Sequence, residues 1–134
     1  MKIKTFNSIC KKNPKGNIIK LINQDDRFTN LSGELYISKI NKKKIKAWKQ
    51  HKKANLNLFV IKGKIKFVII DSKLKITELV LTENKKNRIL IKKNTIFGFQ
   101  NLHSKQSILL SYSSIKYSKK ESKNFNLTDF KYKW

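Results

Sequence analysis

The sequence predicts an all-β chain folded as an antiparallel sandwich or barrel, and three observations carry that expectation. Short runs of roughly four to eight residues, rich in Ile, Val, Phe and Thr, recur between turns made of Asn, Gly, Asp and Lys. Within these runs apolar and polar residues alternate with period two. No stretch before Tyr117 sustains a helical stripe. Many short strands at regular spacing close into a sandwich or a barrel. At 134 residues and 39% hydrophobic content, the expectation is one domain over residues 1–134 with a single core, ending in a polar tail from about residue 118.

Each strand has its own justification. Residues 13–16, with Pro14 and Gly16, read as a turn, and Ile18, Ile19, Leu21 and Ile22 mark a strand over residues 17–22. A polar connection follows over residues 23–31. Residues 33–39 alternate cleanly and end at the basic turn 41–44. Residues 45–53 form the central strand, which leads into a hairpin with Lys62 and Gly63 as its turn. Asp71, Ser72 and Lys73 make the next turn. Residues 75–82, 87–92, 95–100 and 107–114 supply the later strands. Past Tyr117 the chain is polar until Phe130, Tyr132 and Trp134, whose rings are expected to dock back onto the domain or onto a partner.

The central strand carries the candidate chemistry. At period two, Ile45, Ala47, Lys49 and His51 share one face, while Lys44, Lys46, Trp48, Gln50 and Lys52 share the other. The second face, rich in charge, reads as the solvent or rim side. The first begins apolar and then presents an amine and an imidazole two residues apart. Turned inward, that pair is a site; at the end of a strand, the same two residues could simply reach the rim.

Composition narrows the classes. The formal net charge is +24, from 32 Lys and Arg against 8 Asp and Glu, which by itself suggests a nucleic-acid partner. Only Arg27 and Arg88 are arginine, however, and arginine supplies the commonest bidentate contact to guanine. The excess of Lys, Ile and Asn is what AT-rich codons produce. Lys62, Lys64 and Lys66 alternate with apolar residues, as on a solvated strand face. Weak, sequence-blind polyanion binding at low salt is expected, and nothing more specific. Cys10 stands alone, so neither an internal disulfide nor a cysteine-based zinc site is expected. No apolar run resembles a signal peptide or a bilayer span, so a cytoplasmic protein without membrane association is the expectation.

Residues 33–38, 45–53 and 57–64, followed by residues 92–102 with Gly98 before Phe99, resemble the small cupins related to dTDP-4-dehydrorhamnose 3,5-epimerase. The resemblance runs from about residue 13 to residue 117. It implies a double-stranded β-helix, or cupin jelly roll, assembled as a homodimer. It also implies an isomerase in cell-envelope sugar synthesis, acting on a nucleotide-linked 4-keto-6-deoxy sugar. In those epimerases a histidine on the central strand is the base, and the matching position here is Lys49. Small relatives with lysine there resemble this chain as well. The family's late-strand tyrosine falls near Leu110, with Tyr112 the nearest substitute. Its histidine-orienting carboxylate has no clear match. Related sugar 3,4-ketoisomerases use a His-x-His pair, of which only the second member, His51, is present. Metal cupins would place ligands at Lys49, His51, Asn55 and Phe97, and one imidazole does not hold a transition metal; no cofactor and no metal are expected.

Two function classes stand. In the first, Lys49 removes the proton beside the keto group, which requires a neutral amine of the kind desolvation favours. His51 then donates to the enolate oxygen, and Tyr112 or Tyr117 returns the proton. Lys46 and Arg88 would hold the diphosphate, with Asn55, Asn57, Phe97 and Tyr117 completing the substrate-binding set. In the second class, a non-catalytic cupin binds a sugar nucleotide or a polyanion.

Overall fold

The computed structural model describes residues 3–7, 9–11, 14, 18–20, 33–115 and 118–134. In chain order the strands are β1 (Ile3–Asn7), β2 (Ile9–Lys11), β3 (Ile18–Lys20), β4 (Glu34–Ile40), β5 (Ile45–His51), β6 (Leu56–Lys62), β7 (Lys64–Ile70), β8 (Ile76–Thr82), β9 (Lys86–Ile91), β10 (Ile96–Asn101), β11 (Ser107–Ser113) and β12 (Ser122–Asn124). A single 3-10 turn follows at Leu127–Asp129. One five-stranded sheet runs β1-β9-β6-β11-β4 and the other β12-β5-β10-β7-β8, with β2 and β3 paired apart. All these pairings are antiparallel. Two such sheets laid face to face are the cupin jelly roll. Among the described residues no helix is long and apolar enough to cross a membrane.

The alternation that predicts the strands also builds the core. Leu56, Leu58 and Val60 on β6 and Ile89 and Ile91 on β9 point inward, where they meet Ile65, Phe67 and Ile69 of β7 and Leu81 of β8. Ile65, Phe67, Leu81 and Ile89 are fully shielded from solvent. Burying a side chain of this size stabilises by about 1.5–3 kcal/mol relative to leaving it exposed.

The structure corrects the hairpin expected at Lys62 and Gly63. β6 lies in the first sheet and β7 in the second, so the chain changes sheets at Gly63 instead of turning back on its own strand. A glycine between two alternating runs signals a sharp corner equally well in either case. Gly63 has φ +94, and a Cβ there would lie 2.1 Å from Ser107 Oγ, so both backbone angle and space demand glycine. The turn expected at Asp71 does join a hairpin, β7 to β8. Asp71 Oδ1 accepts from the backbone N–H groups of Lys73 (2.8 Å) and Lys75 (2.9 Å).

The tail differs most from its polar appearance. Residues 122–124 add β12 to the free edge of β5, pairing Ser122 with His51 and Asn124 with Lys49. Beyond them Phe125, Phe130, Tyr132 and Trp134 return across the outer face of the second sheet and pack on Trp48, Val68 and Ile70.

Candidate functional site

The two sheets part company along one side, between edge strand β4 and the β5–β12 edge, and a cavity of about 350 Å³ opens into that seam. Its floor is apolar, from Leu58, Phe97, Phe99 and Leu109. Its polar groups are Tyr36 and Ser38 of β4, Lys46, Lys49 and His51 of β5, Ser111 of β11 and Asn124 of β12. A second hollow, about 260 Å³, shares Tyr36, Lys49 and His51 and adds Glu34, Ser113 and Glu121. Those three shared residues occupy the middle of an elongated site.

An irregularity in β5 decides which residues face it. Lys49 lies opposite Phe97, but Lys46, three residues back, lies opposite Phe99, two residues on. Directly opposed residues share a sheet face. Lys46, Lys49 and His51 therefore turn to the cavity, whereas Ala47 and Trp48, which also border it, pack in the outer cluster. The inserted residue corrects the period-two reading, which put Ala47 inside and Lys46 outside. Trp48 keeps the outer face that period two gave it, but that face is not solvent: the aromatic segment covers it and leaves it 1% exposed.

His51 is buried, its ring stacked on Phe97 at 6.3 Å between centroids. Nδ1 lies 2.7 Å from Glu121 Oε2. The other oxygen of Glu121 accepts from the backbone N–H groups of Ala54 (2.8 Å) and Lys53 (3.1 Å). Burial pushes the Glu121 carboxyl up, but the Ala54 amide, His51 and the Lys53 amide together outweigh it and hold the group below its ordinary value. An ionised carboxylate only accepts, so Nδ1 is the nitrogen that carries the proton in this contact, and in the neutral imidazole the lone pair then lies on Nε2. The arrangement is a histidine oriented by a carboxylate, the geometry of a general base.

Tyr36 stands across the seam on β4, paired with Ser111 of β11. Burial raises its phenol above the ordinary 10.0; the Ser111 hydroxyl opposes this, and the charges of Glu34 and Glu121 reinforce it. The hydroxyl is thus kept as a proton donor at neutral pH.

The remaining sequence-predicted residues divide. Lys46, Lys49, His51 and Phe97 come together in the cavity. Tyr112 does not: Leu109 and Ser111 are the inward residues of β11, which leaves Tyr112 on the opposite face, paired with Asn57 and Leu35. Asn57 and Arg88 also lie away from the cavity. Both are buried behind the first sheet, where Arg88 Nε donates to Asn57 Oδ1 at 3.2 Å and the guanidinium lies 5.5 Å from the Phe59 ring centroid. Asn55 uses its Oδ1 to accept from Lys93 N–H at 2.9 Å. Tyr117 falls outside the described residues. Among the described residues, no three of His, Cys, Asp and Glu gather as metal ligands. Sequence reasoning missed Tyr36, Glu121 and Asn124. For Tyr36 a signal existed, since period two places it with Glu34 and Ser38; the others lie in a lysine-rich run.

A family model described as "FdtA: WxcM-like, C-terminal" matches residues 1–132. The chain belongs to the FdtA family. No curated protein matches it. Among solved structures, this FdtA-family chain is similar to a dTDP sugar isomerase from Desulfovibrio desulfuricans, at 19% identity and TM-score 0.86, over 95% of this chain and 85% of that one. A 3,4-ketoisomerase from Helicobacter canadensis matches at 22% identity and TM-score 0.78, covering 92% and 90%. The 3,5-epimerase RmlC from Legionella pneumophila, in complex with dTDP-4-keto-L-rhamnose, matches at 14% identity and TM-score 0.79, covering 96% and 74%. At these identities the likeness fixes the fold that the FdtA-family chain shares with them.

Proposed function

We propose that this protein isomerises a keto sugar carried on a nucleoside diphosphate, by removing and returning a proton beside the carbonyl. The observation that carries the reading is the Glu121–His51 pair beside Lys49 and Tyr36 in one cavity. His51 Nε2 takes the proton from the carbon next to the keto group. The bonding pair moves into the enolate, and the developing oxyanion accepts from the Lys49 ammonium and the Tyr36 hydroxyl. Proton return from the Tyr36 phenol, across the seam from His51, to the opposite face of the same carbon gives an epimer. Return of the proton from His51 Nε2 to the former carbonyl carbon, with the proton of the adjacent hydroxyl passed to the former carbonyl oxygen, moves the ketone by one position. Phenolate and imidazolium re-equilibrate with solvent where they are left over. His51 and Lys49 therefore exchange the roles expected from sequence, and Tyr36 replaces Tyr112. Lys46 lies where a diphosphate entering the seam would be met by positive charge.

Family membership and neighbours whose descriptions name dTDP-sugar isomerases and epimerases support the substrate class. By the same resemblance the working unit is a homodimer of single-domain chains, which sizing at moderate salt tests. The reaction is tested by incubating the protein in D2O with a dTDP-linked 4-keto-6-deoxy sugar and following the ring protons by NMR. Deuterium appearing at the carbon beside the ketone, lost in His51→Asn, is the expected outcome. A ketone that moves identifies a ketoisomerase, and one that stays identifies an epimerase. Binding of dTDP without exchange on any 4-keto sugar would overturn the enzyme and leave a binding module.

A further inference from the structure

Phe130, Tyr132 and Trp134 pack on Trp48, Val68 and Ile70 at the far side of the second sheet from the cavity, yet they belong to the segment that delivers Glu121. β12 is only three residues long, and Ser122, Lys123 and Asn124 bury no apolar side chain of consequence. A strand so short, at a sheet edge, has little of its own to hold it. Backbone bonds tie it to β5: Lys52 N–H donates to Glu121 O at 2.8 Å, and Phe125 and Trp48 exchange bonds of 2.9 and 3.3 Å.

The apolar contacts of the segment all come later. Trp48 Nε1 donates to Leu127 O at 3.2 Å, and the Trp48 ring meets Phe130, Tyr132 and Trp134 with centroids 5.6, 5.9 and 5.0 Å apart. The Trp134 ring approaches β10, the strand that floors the site, at Gly98. A Cβ on Gly98 would come within 3.0 Å of its ring, and Phe97 and Phe99 on either side of Gly98 line the cavity. Two further contacts fix the end of the segment to β7 and β8. The Tyr132 hydroxyl donates to Glu78, and the Lys66 amine stands 5.4 Å from the ring centroids of both Tyr132 and Trp134.

We propose that Trp134 and Tyr132 are positioning residues: clamped on the outer face of the sheet, they hold β12 in place and so keep Glu121 against His51 inside. Trp48 joins the two sides, since its backbone pairs with Phe125 while its ring receives the clamp. The clamp works on Glu121 through strand pairing and touches no ligand. Its effect on turnover rests on the proposed reaction; its effect on His51 does not.

The test reads His51 directly. The chain has two histidines, so long-range proton–nitrogen NMR resolves both imidazoles, with His103 as internal reference. In the wild type His51 should show the Nδ1-protonated tautomer and a slowly exchanging ring proton, and Glu121→Gln defines the spectrum without the carboxylate. Trp134→Ala should speed exchange of that proton by roughly tenfold or more, as expected when an anchoring aromatic is lost from a locally opening segment, and shift His51 towards the Glu121→Gln spectrum. His103 and the β spectrum should stay as they are. Tyr132→Phe, which removes only the hydroxyl contact to Glu78, should give a smaller change in the same direction and decides the matter if Trp134→Ala does not fold. Wild-type exchange at His51 in a folded Trp134→Ala protein, or in Tyr132→Phe where only that variant folds, overturns the proposal. Because the signal needs no substrate, a protein that turns nothing over still tests the clamp.

Discussion

The inner and outer faces of the sheet that holds β5 are both covered, but in opposite ways. Inside, β5 presents Lys46, Lys49 and His51 to a cavity left open between two sheet edges. Outside, the same strand presents Trp48, sealed under Phe130, Tyr132 and Trp134. One backbone thickness separates a polar, accessible surface from a packed aromatic one. The lesson is that a polar site left open to solvent draws less stability from its own contacts than a sealed aromatic face does. The strand that carries it is held from behind.

Breaking the outer face should cost the most. Trp48→Ala removes a fully buried ring and its bond to Leu127, and should lower unfolding free energy by about 3–5 kcal/mol in a denaturant titration. A loss below about 1 kcal/mol would mean that the aromatic segment does not hold the sheet. Breaking the inner face should strike turnover: His51→Asn should reduce the rate by roughly 10²–10⁴-fold. A comparable fall on Lys49→Met with His51→Asn near wild type would restore the lysine as base.

Two smaller perturbations sharpen the contrast. Gly98→Ala puts a methyl against Ala47 Cβ, 2.5 Å away, and under the Trp134 ring. It should destabilise by about 1–3 kcal/mol, measured as a shift in melting midpoint. Acid acts on the inner face through Glu121. Its folded-state carboxyl is held below the ordinary 4.5, so its contribution to stability is complete above that value and is lost as pH falls through the lower, folded one. Acid unfolding of Glu121→Gln should lack that component; an identical acid limb would show that the carboxylate is not anchored as described.

The sequence made most of the fold legible and only part of the site. Period-two alternation found β4 to β11 within a residue or two at their ends, because each buries one side against the core. It failed within β5, where the extra residue at Ala47 and Trp48 flips every assignment before it, and nothing in the residues' chemistry marks the insertion. Gly63 was visible as a corner, but the same glycine serves a hairpin or a change of sheet. Lys49 and His51 were found because inward amines and imidazoles are unusual. Glu121 was hidden within Lys119, Lys120, Glu121, Ser122 and Lys123, which reads as a solvated run; its meaning lies in a contact 70 residues away. Tyr36 was passed over because Leu35 and Ile37, on the other face, are as apolar as a core strand and 62% and 61% exposed.

The turn between β4 and β5 carries Lys42, Lys43 and Lys44, all exposed, at one end of the open seam. A dianionic ligand approaching from solution meets that field before it meets any pocket wall. Its first encounter is therefore governed by long-range attraction, and its orientation is biased with the phosphates leading towards Lys46. Steering of this kind raises association rates by roughly 10–10³-fold and is screened by salt. Stopped-flow binding of dTDP should thus slow steeply between low and physiological ionic strength, and charge reversal at Lys42 and Lys43 should flatten that dependence while leaving the dissociation rate almost unchanged.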